Sequence, residues 1–174
     1  MLFPRLLGDR FTALPASVQV LHCTGGTRNY RGVVTVQRGR GWCSRLCGWA
    51  TRLPPAARDV PLSVDIAATA DSETWTRRFG AHTMRSNLSR NGAQLRERLG
   101  LVTFVFSLSV SAGVLRWTVC EVRALGLRLP ARWFSGVRAC ESEREGRYWF
   151  DVRAALPIIG DLIHYEGWLA VPHE

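Results

Sequence analysis

Residues 60–69, VPLSVDIAAT, set Leu62, Val64, Ile66 and Ala68 against Ser63, Asp65 and Ala67, a period of two that predicts a half-buried β-strand. Strand patterns recur at ETWTRRF (73–79), HTMRSNLS (82–89), AQLRERLG (93–100), LVTFVFSLSV (101–110) and VLRWTVCEVRAL (114–125). They continue at WFSGVRACESE (133–143), GRYWFDVRAAL (146–156) and LIHYEGWLAV (162–171). Gly80, the Arg90-Asn91-Gly92 triplet, 111–113 and 142–146 supply the turns, asparagine and glycine being the residues that tolerate positive φ. Ahead of this block, Phe11, Leu14, Val18 and Leu21 form a helical stripe over 8–22, divided by Pro15. Gly25 and Gly26 release the chain into a strand at 30–39, YRGVVTVQRG. A helix is then expected over 42–53, with Trp42, Leu46, Trp49 and Leu53 on the side that covers the sheet, stopped by Pro54 and Pro55.

Short connections exclude parallel pairing, which needs crossovers of about a dozen residues or more. The expected fold is therefore α+β and mainly antiparallel: a strongly curved or barrel-like sheet of about nine strands, with two N-terminal helical segments. Both faces of the later strands are partly apolar. Phe104, Phe106 and Leu108 oppose Val105 and Ser107, while Leu115, Trp117 and Val119 oppose Thr118, Cys120 and Val122. Such a sheet folds around something, either packed side chains or a pocket. No repeat, linker or low-complexity tract divides the chain, so residues 1–174 are expected to form one domain.

With 174 residues, of which 47% are hydrophobic, a chain buries roughly 70% of the surface its unfolded form exposes. It needs no metal, cofactor or disulfide to hold it together, and none is expected. Apolar runs are too short to span a membrane, and Arg5 and Arg10 break any export signal, which points to a cytoplasmic protein. The net charge of +9 comes from 23 arginines with no lysine, scattered along the chain. That scatter argues against a specific nucleic-acid surface. Five cysteines at 23, 43, 47, 120 and 140 match no strong zinc spacing and read as reduced thiols.

The ordered blocks LLGDRFTALPASVQVLH, GVVTVQRGRGW, LPPAARDVPLSVD, ETWTRRFG, RSNL, LRERLG, GLRLPARW and GRYWFDVRAALPIIGDLIHYEGWL resemble a bacterial family catalogued as domain of unknown function 4166. The resemblance spans nearly the whole chain. It implies positions rather than a mechanism, because no activity is attached to the family. Its recurring charged positions correspond to Arg77, Arg78, Arg85, Glu97 and Asp151. Leu101 stands where the family often has proline after the glycine of ERFG, leaving that turn less constrained.

Within ETWTRRFG, a regular strand puts Trp75, Arg77 and Phe79 on one face and Arg78 on the other. A guanidinium between two aromatics must find a carboxylate, carbonyls or a bound anion, since an unpaired buried charge is very costly. Glu97, Glu121 and Glu166 are the candidate protein partners. Near the C-terminus His164, Glu166 and Trp168 share a strand face and suggest either polar fixing groups or an acid–base pair. No nucleophile motif accompanies them. The loop Arg38, Gly39, Arg40 and Gly41 ahead of the 42–53 helix is a candidate anion cradle, although it matches neither phosphate-binding glycine fingerprint. The same helix, with Arg45 and Arg52 beside its tryptophans, suits a lipid headgroup region, a role the sequence ranks below internal packing. The leading expectation is non-catalytic binding of a small amphiphilic or anionic ligand in a sheet-enclosed pocket. An acid/base enzyme using His164 or Glu166 and a protein interaction module are the alternatives.

Overall fold

Proline lacks an N–H and fixes φ, so a helix can begin immediately after Pro15 but cannot run through it. The structure, a computed structural model, describes the chain apart from Thr24, Arg40, Ile158, His173, Glu174 and the side chain of Cys43. Helix α1 (Leu2–Leu7) and a 3-10 turn (Gly8–Ala13) precede Pro15, and α2 (Ala16–Cys23) follows it. The stripe expected over 8–22 is thus broken in two, and α1 adds a further helical piece.

Eleven strands follow: β1 (Gly26–Arg38), β2 (Ala57–Ala68), β3 (Ser72–Phe79), β4 (His82–Asn91), β5 (Gln94–Leu99) and β6 (Val102–Ser111), then β7 (Val114–Ala124), β8 (Leu127–Leu129), β9 (Arg138–Arg144), β10 (Arg147–Leu156) and β11 (Gly160–Ala170). Helix α3 (Trp42–Thr51) connects β1 to β2. Each strand from β1 to β7 pairs antiparallel with the next, β7 pairs with β9, β9 with β10, β10 with β11, and β11 returns to β1. That circuit closes a barrel of ten strands, with β8 attached to β7 as one more. Closure leaves no exposed edge along the circuit, which disposes of the aggregation hazard of a long curved sheet. The segment expected as one strand over 133–143 is instead a 3-10 turn (Ala131–Phe134) followed by β9.

The two ends of the barrel differ. At one end α1, the 3-10 turn and α2 form a plug, burying Leu2, Phe3, Val18 and Leu21 in a single core with interior side chains such as Trp75 and Trp117. Each fully buried side chain of this kind contributes roughly 1.5–3 kcal/mol, enough in sum to hold three short helical pieces that would not be stable alone. At the other end α3 lies across the mouth: Leu101 N–H donates to Ala50 O, and Gly100 approaches the same carbonyl.

Helix α3 sits the opposite way round from the expectation. Its buried side chains are small, Ser44 and Thr51, and Ser44 Oγ donates to Leu162 O. Gly48 rests on the Arg38 guanidinium, where any Cβ would collide with Nη2. Trp42, Leu46 and Trp49 are 76%, 57% and 73% exposed. Small residues let the helix backbone lie close to β11, and that contact outweighs burial of the aromatic face.

Candidate functional site: the barrel interior

Alternation on β3 sends Glu73, Trp75, Arg77 and Phe79 inward, as the sequence predicts for the last three. Arg78 points outward and pairs with Asp65 on β2. Inside, the Arg77 Nη1 donates to Ser86 Oγ at 2.9 Å, and the guanidinium carbon lies 4.7 Å from the Trp75 ring centroid. Its carboxylate neighbour is Glu97, at 3.7 Å, with both side chains only 12% exposed. That separation is an ion pair but is too long for a hydrogen bond. Of the three acids offered as partners, Glu97 is the one the register brings in; Glu121 binds Arg123 and Arg128 outside, and Glu166 is exposed.

Arg77 and Glu97 line a cavity of about 370 Å³. Its wall is largely apolar, including Phe104, Phe106, Trp117 and Phe134, with Cys47, Ala50, Thr51 and Leu53 contributed from the α3 side. Towards the plug, Glu141 and Tyr148 close the cavity. His22 Nε2 lies 2.6 Å from Glu141 Oε2, both groups buried, and the His22 ring packs 3.6 Å from that of Phe3. Glu73 Oε2 accepts from the Trp75 indole at 2.8 Å. Burial holds the Glu73 carboxyl above its usual range, against the opposing pull of His22 and the indole hydrogen bond. The sequence reading missed this inner cluster, because His22, Glu73 and Glu141 lie on three separate elements; the only signal was a glutamate in phase with Trp75.

Burial likewise pushes the Tyr148 hydroxyl, which donates to Glu141, well above its ordinary value and raises Tyr165 to about 12. A pKa raised on folding gives stability that is intact below the unfolded value and lost as pH climbs through the folded one. For Tyr165 that window runs from the ordinary value of 10 to about 12. The loss attributable to Tyr165 is expected to approach roughly 3 kcal/mol at the top of it. Urea titrations at rising alkaline pH check this: Tyr165→Phe should show a shallower decline than the wild type.

The other candidate residues lie outside the barrel. His164, Glu166 and Trp168 alternate with the inward Ile163, Tyr165 and Leu169 on β11. His164 Nε2 is 3.4 Å from Asp151 Oδ1, and Asp151, His164 and Glu166 place one ligand atom each within 4.8 Å of one another. One imidazole and two carboxylates there offer donors suited to a cation. Trp168 faces Trp149 across the strands and carries the Arg147 guanidinium 4.3 Å over its ring. In the 38–41 loop, Arg38 donates to Pro54 O and Ser44 O, and Gly39 N–H to Leu162 O, so these groups serve the α3 joint. Arg40 lies outside the described residues. Cys23, Cys120 and Cys140 are free thiols.

Fold and interior together define a closed antiparallel ten-stranded barrel, plugged at one end by helices and enclosing a mostly apolar cavity with an ion pair in its wall. The chain belongs to the family described as Domain of unknown function (DUF4166), whose model matches residues 14–169. Arg77, Glu97 and Glu141 all fall inside that span, whereas α1 precedes it. No curated protein matches the chain. No helix among the described residues is long and apolar enough to cross a membrane.

Proposed function

We propose that the barrel binds a small amphiphilic molecule, its apolar part against the aromatic wall and its polar head at Arg77 and Glu97. The observation that carries this reading is the cavity itself: about 370 Å³ of space beside an ion pair whose partners do not hydrogen-bond each other. Small-molecule pockets have this size and this pattern of an apolar wall with a few fixed polar groups. Because Glu97 offsets the charge of Arg77, this corner of the interior carries no surplus cation. A head that both accepts and donates hydrogen bonds, such as a hydroxyl, amide or protonated acid, fits better than a free anion, which would have to face Glu97. His164 and Glu166 point away from this space, so an acid–base role for them gains no support from it.

Native mass spectrometry of gently purified protein, followed by displacement of a naphthylamine fluorophore with long-chain alcohols and fatty acids, tests the proposal. Filling the wall with Ala154→Phe is expected to abolish binding. The paired change Arg77→Met/Glu97→Leu should weaken polar-headed ligands about tenfold or more, since hydrogen bonds to charged groups are each worth roughly 1.5–3 kcal/mol. A protein that binds neither fluorophore nor amphiphile, or whose affinity ignores Ala154→Phe, would show that the cavity has no such role.

A further inference from the structure

We propose that the α3 end of the barrel is a docking face for an anionic lipid bilayer surface. The proposal rests on the outside of the molecule and does not require the cavity to be filled. Among the described residues, large exposed hydrophobic side chains other than Met1 gather at this end. Trp42, Leu46 and Trp49 stand on α3, four and three residues apart, so that they share the helix face turned to solvent. Leu101 caps the β5–β6 turn at 46% exposure, Leu125 and Leu127 flank the β7–β8 turn at 75% and 71%, and Trp133 stands 46% exposed on the following 3-10 turn.

These elements are tied together. Leu101 N–H donates to Ala50 O on α3, and Leu125 N–H donates to Leu101 O. The apolar groups therefore form one rim around the mouth rather than scattered exposed residues, and a rim of this kind is rare unless something covers it. Trp133 lines the cavity as well, so the rim and the interior meet.

Charge selects the partner. Among the described residues, the connections at the mouth, 39–56, 80–82, 99–103, 124–138 and 155–160, contain no aspartate or glutamate. The acids beside them, Asp59 and Asp161, lie near the starts of β2 and β11, where Asp59 accepts from Thr35 and Asp161 pairs with Arg153. Arg45 and Arg52 sit among the α3 tryptophans and Arg132 among the second group, all exposed, while Arg128 there pairs with Glu121. At the plugged end the turns carry acids instead, including Asp71, which pairs with Arg5, and Glu145. Tryptophan and leucine interleaved with arginine on one face is the composition that enters a headgroup layer while its cations meet anionic lipid. A helix of ten residues is a weak anchor alone; here the turns of β5–β6 and β7–β8 widen the contact.

Flotation of the full chain with vesicles of mixed phosphatidylcholine and phosphatidylglycerol, against phosphatidylcholine alone, tests the proposal. Binding is expected to the mixed vesicles and to weaken with salt. Trp42→Ser/Trp49→Ser and Arg45→Glu/Arg52→Glu should each lower the partition coefficient about tenfold or more. Arg28→Glu/Arg90→Glu, the same charge change at the plugged end, should alter it by no more than about twofold, because those sites lie beyond the reach of screened surface charge. All substituted side chains are exposed, so unchanged denaturation midpoints verify the fold. The proposal fails if the wild type does not float with anionic vesicles, or if the plugged-end pair loses as much binding as the mouth pair. It fails equally if sedimentation shows a concentration-dependent dimer that Trp42→Ser/Trp49→Ser dissociates while vesicle binding is absent.

Discussion

Substituting leucine for His22 is expected to lower the free energy of unfolding by about 3–5 kcal/mol, the scale for leaving a buried carboxylate without its partner. His22 is fully buried, and its Nε2 is the group that meets Glu141 Oε2 at 2.6 Å. Leucine fills most of the imidazole's space, so the loss comes from the acids left behind rather than from a void. Among the described residues Glu141 would keep the Tyr148 hydroxyl, and Glu73 would lose the histidine that draws its carboxyl downward. Glu73 would then hold its proton more tightly when folded. A carboxyl with a raised folded pKa contributes stability below its unfolded value and loses it as pH rises. The deficit of His22→Leu should therefore shrink near pH 4 and be fully developed near pH 8, in guanidinium titrations at both values. The double change His22→Leu/Glu141→Met should recover most of the stability, as replacement of a whole buried pair commonly does. A pH-independent deficit would mean that packing against Phe3, not charge, is what His22 supplies.

The second large effect is expected at the seam where the first strand meets the last. Gly167 on β11 stands opposite Val34 on β1 and Phe150 on β10. A Cβ there would fall on Val33 O and come within 2.9 Å of both Phe150 Cζ and Val34 Cα. Backbone on one side and an aromatic ring on the other leave nothing that can yield cheaply. Gly167→Val should destabilise by about 3 kcal/mol or more, at the upper end for overpacked cores, and Gly167→Ala by less. Because β1–β11 is the pairing that closes the barrel, amide exchange should rise along both strands before it rises in β3–β5. Uniform exchange across all strands would place the closing interaction elsewhere. Gly32, whose Cβ would strike Trp168 O on the same seam, offers an independent check.

Neither glycine carried any signal in the chain, since a glycine inside a strand pattern reads equally as a bulge, a bend or a weak spot. The placement of Arg77 was legible, because on β3 the local period of two and the actual barrel face agree over Trp75, Arg77 and Phe79. Val122 shows the contrary case. Simple alternation puts it on the face opposite Leu115 and Trp117, but a register shift between Val105 and Phe106 inserts a residue on β7. Val122 then lies across from Phe104 and is fully buried. One extra residue inverts every facing beyond it.

Helix α3 makes the same point at the surface. Its stripe of Trp42, Leu46 and Trp49 was plain in the periodicity, yet the side turned to the barrel is the small-residue one. Amphipathic spacing identifies which residues share a face; whether that face is covered depends on what stands opposite. Strand periodicity, turn residues and short connections by themselves determined an antiparallel, strongly curved sheet with Arg77 facing two aromatics, because these depend on neighbours in sequence. Closure at β1–β11, the pairing of Arg77 with Glu97, the His22–Glu141 contact and the exposed rim were decided only by tertiary structure. Each joins groups on elements distant in the chain, where register and packing, not local spacing, fix the distance.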